Sequence, residues 1–145
     1  MIKGKPSRLD RIYVDQPLYF VTFCTLYRQC ILANDRIHDS FRKYCERGVD
    51  RGVSVGRYVI MPDHIHLFVA GTVEFDLGIW IRGLKRSLNS QTGTWQPGFF
   101  DHILRNNDSY DEKWNYVYDN PVRAGLVRAR TEWRFAGEIV DIDRL

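Results

Sequence analysis

Little in this chain points to secretion or to a membrane. Its 145 residues hold only three cysteines, Cys24, Cys30 and Cys45. No two form a CxxC pair and one is left over from any pairing, so neither a disulfide framework nor a thiolate zinc site is indicated. A reduced, cytoplasmic setting is the expectation, with the cysteines as small core or surface residues. No apolar run approaches the ~20 residues of a membrane helix. The basic opening stretch MIKGKPSRLDRIYV has no apolar segment behind it and does not read as a signal peptide. Repeats, low-complexity tracts and internal linkers are absent. Charge excess is also small. The 21 Lys and Arg against 18 Asp and Glu leave +3, which does not by itself indicate nucleic acid.

What is present suits one globular domain. Hydrophobic residues make up 44% and aromatics 14%, enough for a core with aromatic surface to spare. That content argues against a disordered chain. Basic residues are clustered rather than spread. Lys3, Lys5, Arg8 and Arg11 crowd the beginning, Arg82, Lys85 and Arg86 fall within five positions, and Arg123, Arg128, Arg130 and Arg134 recur later. Each cluster alone fits a solvated face; three around one site suit a polyanion.

The first 17 residues read as a basic arm ended by Pro17. LYFVTFCT (18–25) is β-branched and aromatic, hence a strand. Asn34 and Asp35 suit a helix cap, Ile37, Phe41, Tyr44 and Cys45 recur at helical spacing, and Gly48 is placed to end the helix. Residues 53–61 read as a second strand with Gly56 as a bulge. Met61-Pro62-Asp63 is a turn, and HIHLFV (64–69) a third strand, so the two form a hairpin. Leu77, Trp80, Ile81, Leu84 and Leu88 mark a second amphipathic helix. A fourth strand covers 99–104, and a third helix, capped by Asp108 or Ser109, runs to about Asn120 and meets Pro121. The order β-α-β-β-α-β plus a helix is that of a ferredoxin-like split β-α-β, an α+β fold whose antiparallel sheet is backed by two helices. The expected partition is an arm over 1–17, a domain over 18–130 and a short tail over 131–145.

Strand alternation puts His64, His66 and Phe68 on one face, with Ile65, Leu67 and Val69 on the other. Two imidazoles so spaced can converge on one metal ion; two half-exposed strand histidines are the alternative. In SYDEKWNYVYDNP the helical period puts Tyr110, Trp114 and Val117 on one stripe, with Tyr118 at its border. Lys113, Tyr116 and Asn120 share another side. Tyr118 then packs beside Trp114, and Tyr116 is free to face a site or plain solvent. A phenol with pKa near ~10 is a poor nucleophile, but beside a metal-polarised phosphate it can attack phosphorus. Asn120 is a candidate third ligand with His64 and His66, for Mg²⁺ or Mn²⁺, while the imidazoles also suit Zn²⁺. His102 is a candidate ligand, proton shuttle, phosphate contact or structural histidine. Asp63 either holds an imidazole from behind or is only the turn residue. His38 reads as a surface residue.

The stretches YFVTFCT (19–25), VIMPDHIHLFV (59–69), WQPGFFDHILRN (95–106) and NYVYDNPVRAGLV (115–127) together resemble the REP-associated tyrosine transposases, a branch of the single-tyrosine HUH transposases. The resemblance implies a ferredoxin-like HUH domain, with the two histidines flanking Ile65. It implies a divalent metal, Mg²⁺ or Mn²⁺, and a tyrosine that cuts single-stranded DNA beside palindromic hairpins, leaving a 5′-phosphotyrosine and a free 3′-OH. The family's nucleophile falls on Tyr116 and its polar ligand one turn later on Asn120. Arg82, Lys85, Arg86 and Arg123 are the expected DNA contacts, with His102 and Asp63 supporting the site. The chain stops soon after Trp133, so a longer C-terminal segment used by some relatives is not expected, and monomer and homodimer both remain open. No membrane partner is expected. Two other readings stand beside this one. A replication-initiator-like HUH nickase tends to carry lysine where this chain has Asn120. A hairpin or single-strand binding module without catalysis would not need intact His64, His66 and Tyr116.

Overall fold

The computed structural model describes residues 11–14, 16–105 and 109–144; residues 1–10 of the expected arm lie outside them, as does Asp108. Its main sheet is built from β2 (Leu18–Cys24), β3 (Val53–Ile60), β4 (His64–Gly71), β5 (Phe100–Leu104) and β6 (Ala136–Glu138). Their order is β5-β2-β4-β3-β6 and every pairing is antiparallel. Counted from Leu18, the first four strands lie in the split β-α-β order 4-1-3-2, as the sequence leads one to expect.

Sequence alternation divides the sheet into two faces. Val21 and Phe23 of β2, Tyr58 and Ile60 of β3, and Ile65, Leu67 and Val69 of β4 form one buried cluster with Ile37, Phe41 and Cys45 of α1 (Asp35–Val49) and Ile81, Leu84 and Leu88 of α2 (Leu77–Leu88). At roughly 2 kcal/mol for each fully buried large apolar side chain, this layer supplies most of the hydrophobic stabilisation. The helices begin where side chains can accept the orphan N–H groups: Asn34 Oδ1 takes Ile37 N at 3.0 Å, and Asp76 Oδ1 takes Ile79 N at 3.0 Å. Gly48 does not end α1. It is buried inside the last turn, close to Val53 and Trp80, and the chain reverses at Gly52, whose φ of +79° suits only glycine.

The opposite face carries Leu18, Phe20, Phe68 and Ala70, covered by α3 (Tyr110–Tyr118) and by the end of the chain. A register shift between Val55 and Tyr58 makes the expected bulge at Gly56. The Tyr110 hydroxyl accepts from Arg57 N at 2.8 Å there, and a Cβ on Gly56 would collide with that hydroxyl. The bulge therefore ties the start of α3 to the sheet. Ser109 caps α3 through Glu112 N at 3.0 Å.

Three expectations change. The third helix breaks at Asp119, and Asn120 starts a separate short helix, α4 (Asn120–Arg123), in which Pro121 sits in the first turn where its missing N–H costs nothing. Parts of the expected arm and tail are ordered strands: β1 (Arg11–Val14) pairs in parallel with β7 (Asp141–Arg144), and β6 adds an edge to the main sheet. His38 is half-buried, with Nε2 2.7 Å from the Tyr58 hydroxyl, to which Arg42 also donates at 2.7 Å. No described helix is long and apolar enough to cross a membrane.

Candidate active site

His64 and His66 project from β4 toward the α3 side of the sheet. Their ring centroids are 4.7 Å apart at an interplanar angle of 79°. The cross-strand partner of His66 is Thr22, whose Oγ1 lies 2.7 Å from Nδ1. Phe20, two residues along β2, stacks on the His66 ring at 5.3 Å. Both contacts follow from register, because Thr22 and Phe20 occupy the even face of β2, opposite α1 and α2.

His64 is held from the turn that precedes it. Asp63 Oδ1 lies 2.7 Å from Nδ1, and Arg28 Nε donates to Asp63 Oδ2 at 2.9 Å. Arg28 Nη2 also approaches Nδ1 at 3.2 Å. One nitrogen cannot donate to Asp63 and accept from Arg28 at once; the shorter contact and the carboxylate's charge favour Nδ1–H donating to Asp63. Burial pushes the Asp63 carboxyl up, but the bonds from His64 and Arg28 outweigh it and hold its pKa below the ordinary value. Burial lowers the His64 pKa despite Asp63. His66 goes further, to about 3, through burial first and then the charges of His64, Lys113, Arg123 and Arg28. Both rings are thus neutral at pH 7 with Nδ1 engaged, so Nε2 is the atom that could ligate a metal.

That chemistry fits a divalent ion. Among the described residues no three His, Cys, Asp or Glu side chains gather into a metal cage. Donors beyond the two imidazoles therefore have to be a carboxamide, water or a substrate oxygen.

Tyr116 stands on α3 and is 64% exposed. It lines a cleft of ≈ 320 Å³ with His102, Leu104, Ser109, Glu112 and Lys113. His102 is the cross-strand partner of Phe20, so it shares the face of the histidine pair. Lys113 reaches from α3 across Phe20, its Nζ 4.8 Å from the ring centroid. The contacts from His66 through Phe20 to Lys113 therefore join the imidazole pair to the Tyr116 cleft. Lys113 is half-buried and has no carboxylate partner among the described residues, which leaves its charge available to an anion.

Arg123 holds the nucleophile candidate and the ligand candidate together. It donates through Nη2 to Tyr116 O at 2.8 Å and to Asn120 Oδ1, and its guanidinium lies 4.0 Å from the Tyr116 ring centroid. Asn120, expected on the same helix as Tyr116, instead begins α4 with its carboxamide oxygen facing Arg123. Tyr118 takes the packing role expected of it, stacked on Trp114 at 4.8 Å and covered by Arg130.

The basic cluster of α2 is not brought to this face. Arg82 and Arg86 are exposed on the helix layer, across the sheet from the histidines. Lys85 donates to Gln96 O at 3.1 Å and Gly98 O at 2.6 Å, so it braces the loop before β5. Sequence reasoning missed Thr22 and Arg28 altogether. Alternation in YFVTFCT marks Thr22 as facing away from Val21 and Phe23, but only the β2–β4 register shows its partner. For Arg28 no local pattern exists.

Comparison with known proteins places the chain in one family. The REP-associated tyrosine transposase of Escherichia coli (strain K12) is 29% identical over 99 residues, covering 66% of this chain and 60% of that relative's length. A Haemophilus influenzae (strain ATCC 51907 / DSM 11121 / KW20 / Rd) protein provisionally given the same name is 26% identical over 151 residues, covering 90% of this chain and 84% of its own. The solved structure of a REP-associated tyrosine transposase bound to a REP hairpin superposes with a TM-score of 0.71 at 25% identity, over 90% of this chain and 82% of that one. The family model described as "Transposase IS200 like" matches residues 13–119. That match runs from β1 through the whole of α3 and takes in both strand histidines and Tyr116, so the chain belongs to the IS200-like transposase family.

Proposed function

We propose that this protein is a metal-dependent endonuclease and strand transferase for single-stranded DNA beside hairpins. Tyr116 is its nucleophile. The observation that carries the reading is the continuous set of contacts His66–Phe20–Lys113, which links the neutral imidazole pair to the cleft of Tyr116 within one chain.

In this reading the Tyr116 hydroxyl oxygen attacks the phosphorus. A 5′-phosphotyrosine bond forms, the bond from phosphorus to the 3′-oxygen breaks, and that oxygen leaves as a 3′-hydroxyl. Attack by a 3′-hydroxyl on the phosphotyrosine reverses these changes and joins strands. Nε2 of His64 and His66, with the Asn120 carboxamide as a further donor, would hold Mg²⁺ or Mn²⁺, which would supply a Lewis acid for the phosphate. Asp63 selects the Nδ1–H tautomer of His64, and Thr22 accepts from Nδ1–H of His66 when its Nε2 ligates. Lys113 offsets charge on the phosphate; His102, which lines the same cleft as Tyr116, takes the phenol proton in this reading, and the 3′-oxygen takes up a proton from water as it leaves.

The test uses a hairpin oligonucleotide with a single-stranded flank, labelled at its 3′ end so that the label stays with the 5′-phosphotyrosine fragment. Incubation with Mg²⁺ or Mn²⁺ is expected to give a denaturant-resistant labelled protein band that Tyr116→Phe removes. The Asn120–Arg123 bond favours a second reading, a hairpin-binding module without cleavage. That reading gives equal hairpin affinity and no band with either ion.

A further inference from the structure

A second cleft, of ≈ 150 Å³, lies where the end of β2 meets the loop before β5. Phe23, Cys24, Gln96, Pro97, Phe99 and Phe100 line it, with the backbone of Gly98. None of these side chains is charged, and the nearby Lys85 ammonium is engaged by the Gln96 and Gly98 carbonyls, so the cleft suits a flat neutral ring. Phe100 is 65% exposed although it lies in a strand of the main sheet. Its cross-strand partner is Thr22, and the next partner in the row is His66. Two strand spacings separate Phe100 from His66, about 10 Å between backbones, within reach of a dinucleotide whose phosphate sits at the histidines.

The walls are built before any ligand arrives. Gln96 N donates to Cys24 O at 3.0 Å, and Lys85 ties down the carbonyls of Gln96 and Gly98. Gly98 has φ +77°, and a Cβ added there would meet nothing within 4 Å, so glycine is needed for its backbone and not for space. The exposed Gln96 side chain offers a donor and an acceptor at the rim, the pair of groups that reads a base edge. An exposed phenyl ring beside a polar amide is the pattern by which single strands are held through stacking.

We infer that this cleft is a nucleobase subsite. It receives the unpaired base next to, or one removed from, the scissile phosphate, with Phe100 as the stacking platform and Gln96 as the specificity-determining residue. The inference rests on the nicking reading above and adds to it where the substrate strand runs.

Binding is measured in the Tyr116→Phe background, so that no cleavage intervenes, with a hairpin carrying a single-stranded flank and with the same hairpin blunt-ended. Phe100→Ala is expected to weaken flanked binding about tenfold, within the range for loss of one stacked base, and to leave blunt binding unchanged. Phe100→Trp is expected to retain the parent's affinity. An abasic nucleotide at the position that stacks is expected to abolish the difference between the parent and the Phe100→Ala protein. Equal affinity of the Phe100→Ala and parent proteins for the flanked strand overturns the subsite, as does an alanine effect seen only as a change in self-association. The nicking reading fails separately, through absence of a covalent adduct from the unsubstituted protein.

Discussion

Thr22 Oγ1 lies 2.7 Å from His66 Nδ1, across the β2–β4 pairing. For Nε2 of His66 to ligate, Nδ1 has to carry the proton and donate it to Thr22. Thr22→Val keeps the shape and removes the acceptor. It is expected to lower Mn²⁺ affinity about 10- to 100-fold, the usual cost of losing such a support, and Thr22→Ser to retain most of it. Titration calorimetry with Mn²⁺ alone reads both.

Asp63 and Arg28 do the same for His64. Asp63→Asn retains a hydrogen-bond acceptor but removes the charge that selects Nδ1–H. Its expected effect is a drop in metal affinity of about tenfold or more, with a small effect on folding because the Arg28 side chain of the pair is 55% exposed. Melting temperature and metal affinity measured on the same sample separate the two.

Buried neutral histidines make the metal-free protein acid-sensitive. The folded pKa of His66 is about 3 against an ordinary value of 6.5; His38 and His64 shift the same way. The unfolded chain therefore binds protons first as pH falls. The stability is fully present above pH 6.5 and is lost progressively toward pH 3. His66 alone accounts for about 2 kcal/mol between about pH 7 and pH 5. Urea midpoints at the two pH values give the loss, and His66→Gln is expected to shrink it.

Much of this was legible in the sequence. The four-strand order, two caps, the bulge at Gly56 and the facing of His64 with His66 all follow from alternation, turn residues and cap residues. Periodicity also separated Tyr116 from Tyr118. What escaped it depends on distant partners. β6, of three residues, and β1 with β7, of four each, are too short to show a period; β6 exists because it meets the free edge of β3, and β1 with β7 because segments from opposite ends of the chain meet. The break at Asp119 was hidden because Pro121 reads as a helix end or a helix start with equal ease. Arg28 reaches Asp63 across 35 positions, and no local pattern encodes that contact.

Arg123 stacks on Tyr116 and bonds its carbonyl and Asn120. Arg123→Lys keeps the charge and loses the planar fork. The rate of single-turnover cleavage is expected to fall about tenfold or more, since a misplaced nucleophile loses its near-attack geometry, while hairpin affinity changes little. A loss confined to affinity would make Arg123 a simple DNA contact.

Arg82 and Arg86 lie on the layer remote from the histidines. If the hairpin duplex reaches that layer, neutralising both lowers affinity and reduces the slope of log K against log salt by about 0.9 for each phosphate no longer engaged. An unchanged slope confines DNA to the α3 side.

The most direct measurement is the identity of the residue that carries the DNA. Protein incubated with flanked hairpin DNA and Mn²⁺ is digested with nuclease and protease, and the nucleotide-bearing peptide is sequenced by mass spectrometry. The account expects the added nucleotide on Tyr116 and none after Tyr116→Phe. A nucleotide on Tyr118, or an adduct that persists in Tyr116→Phe, contradicts it.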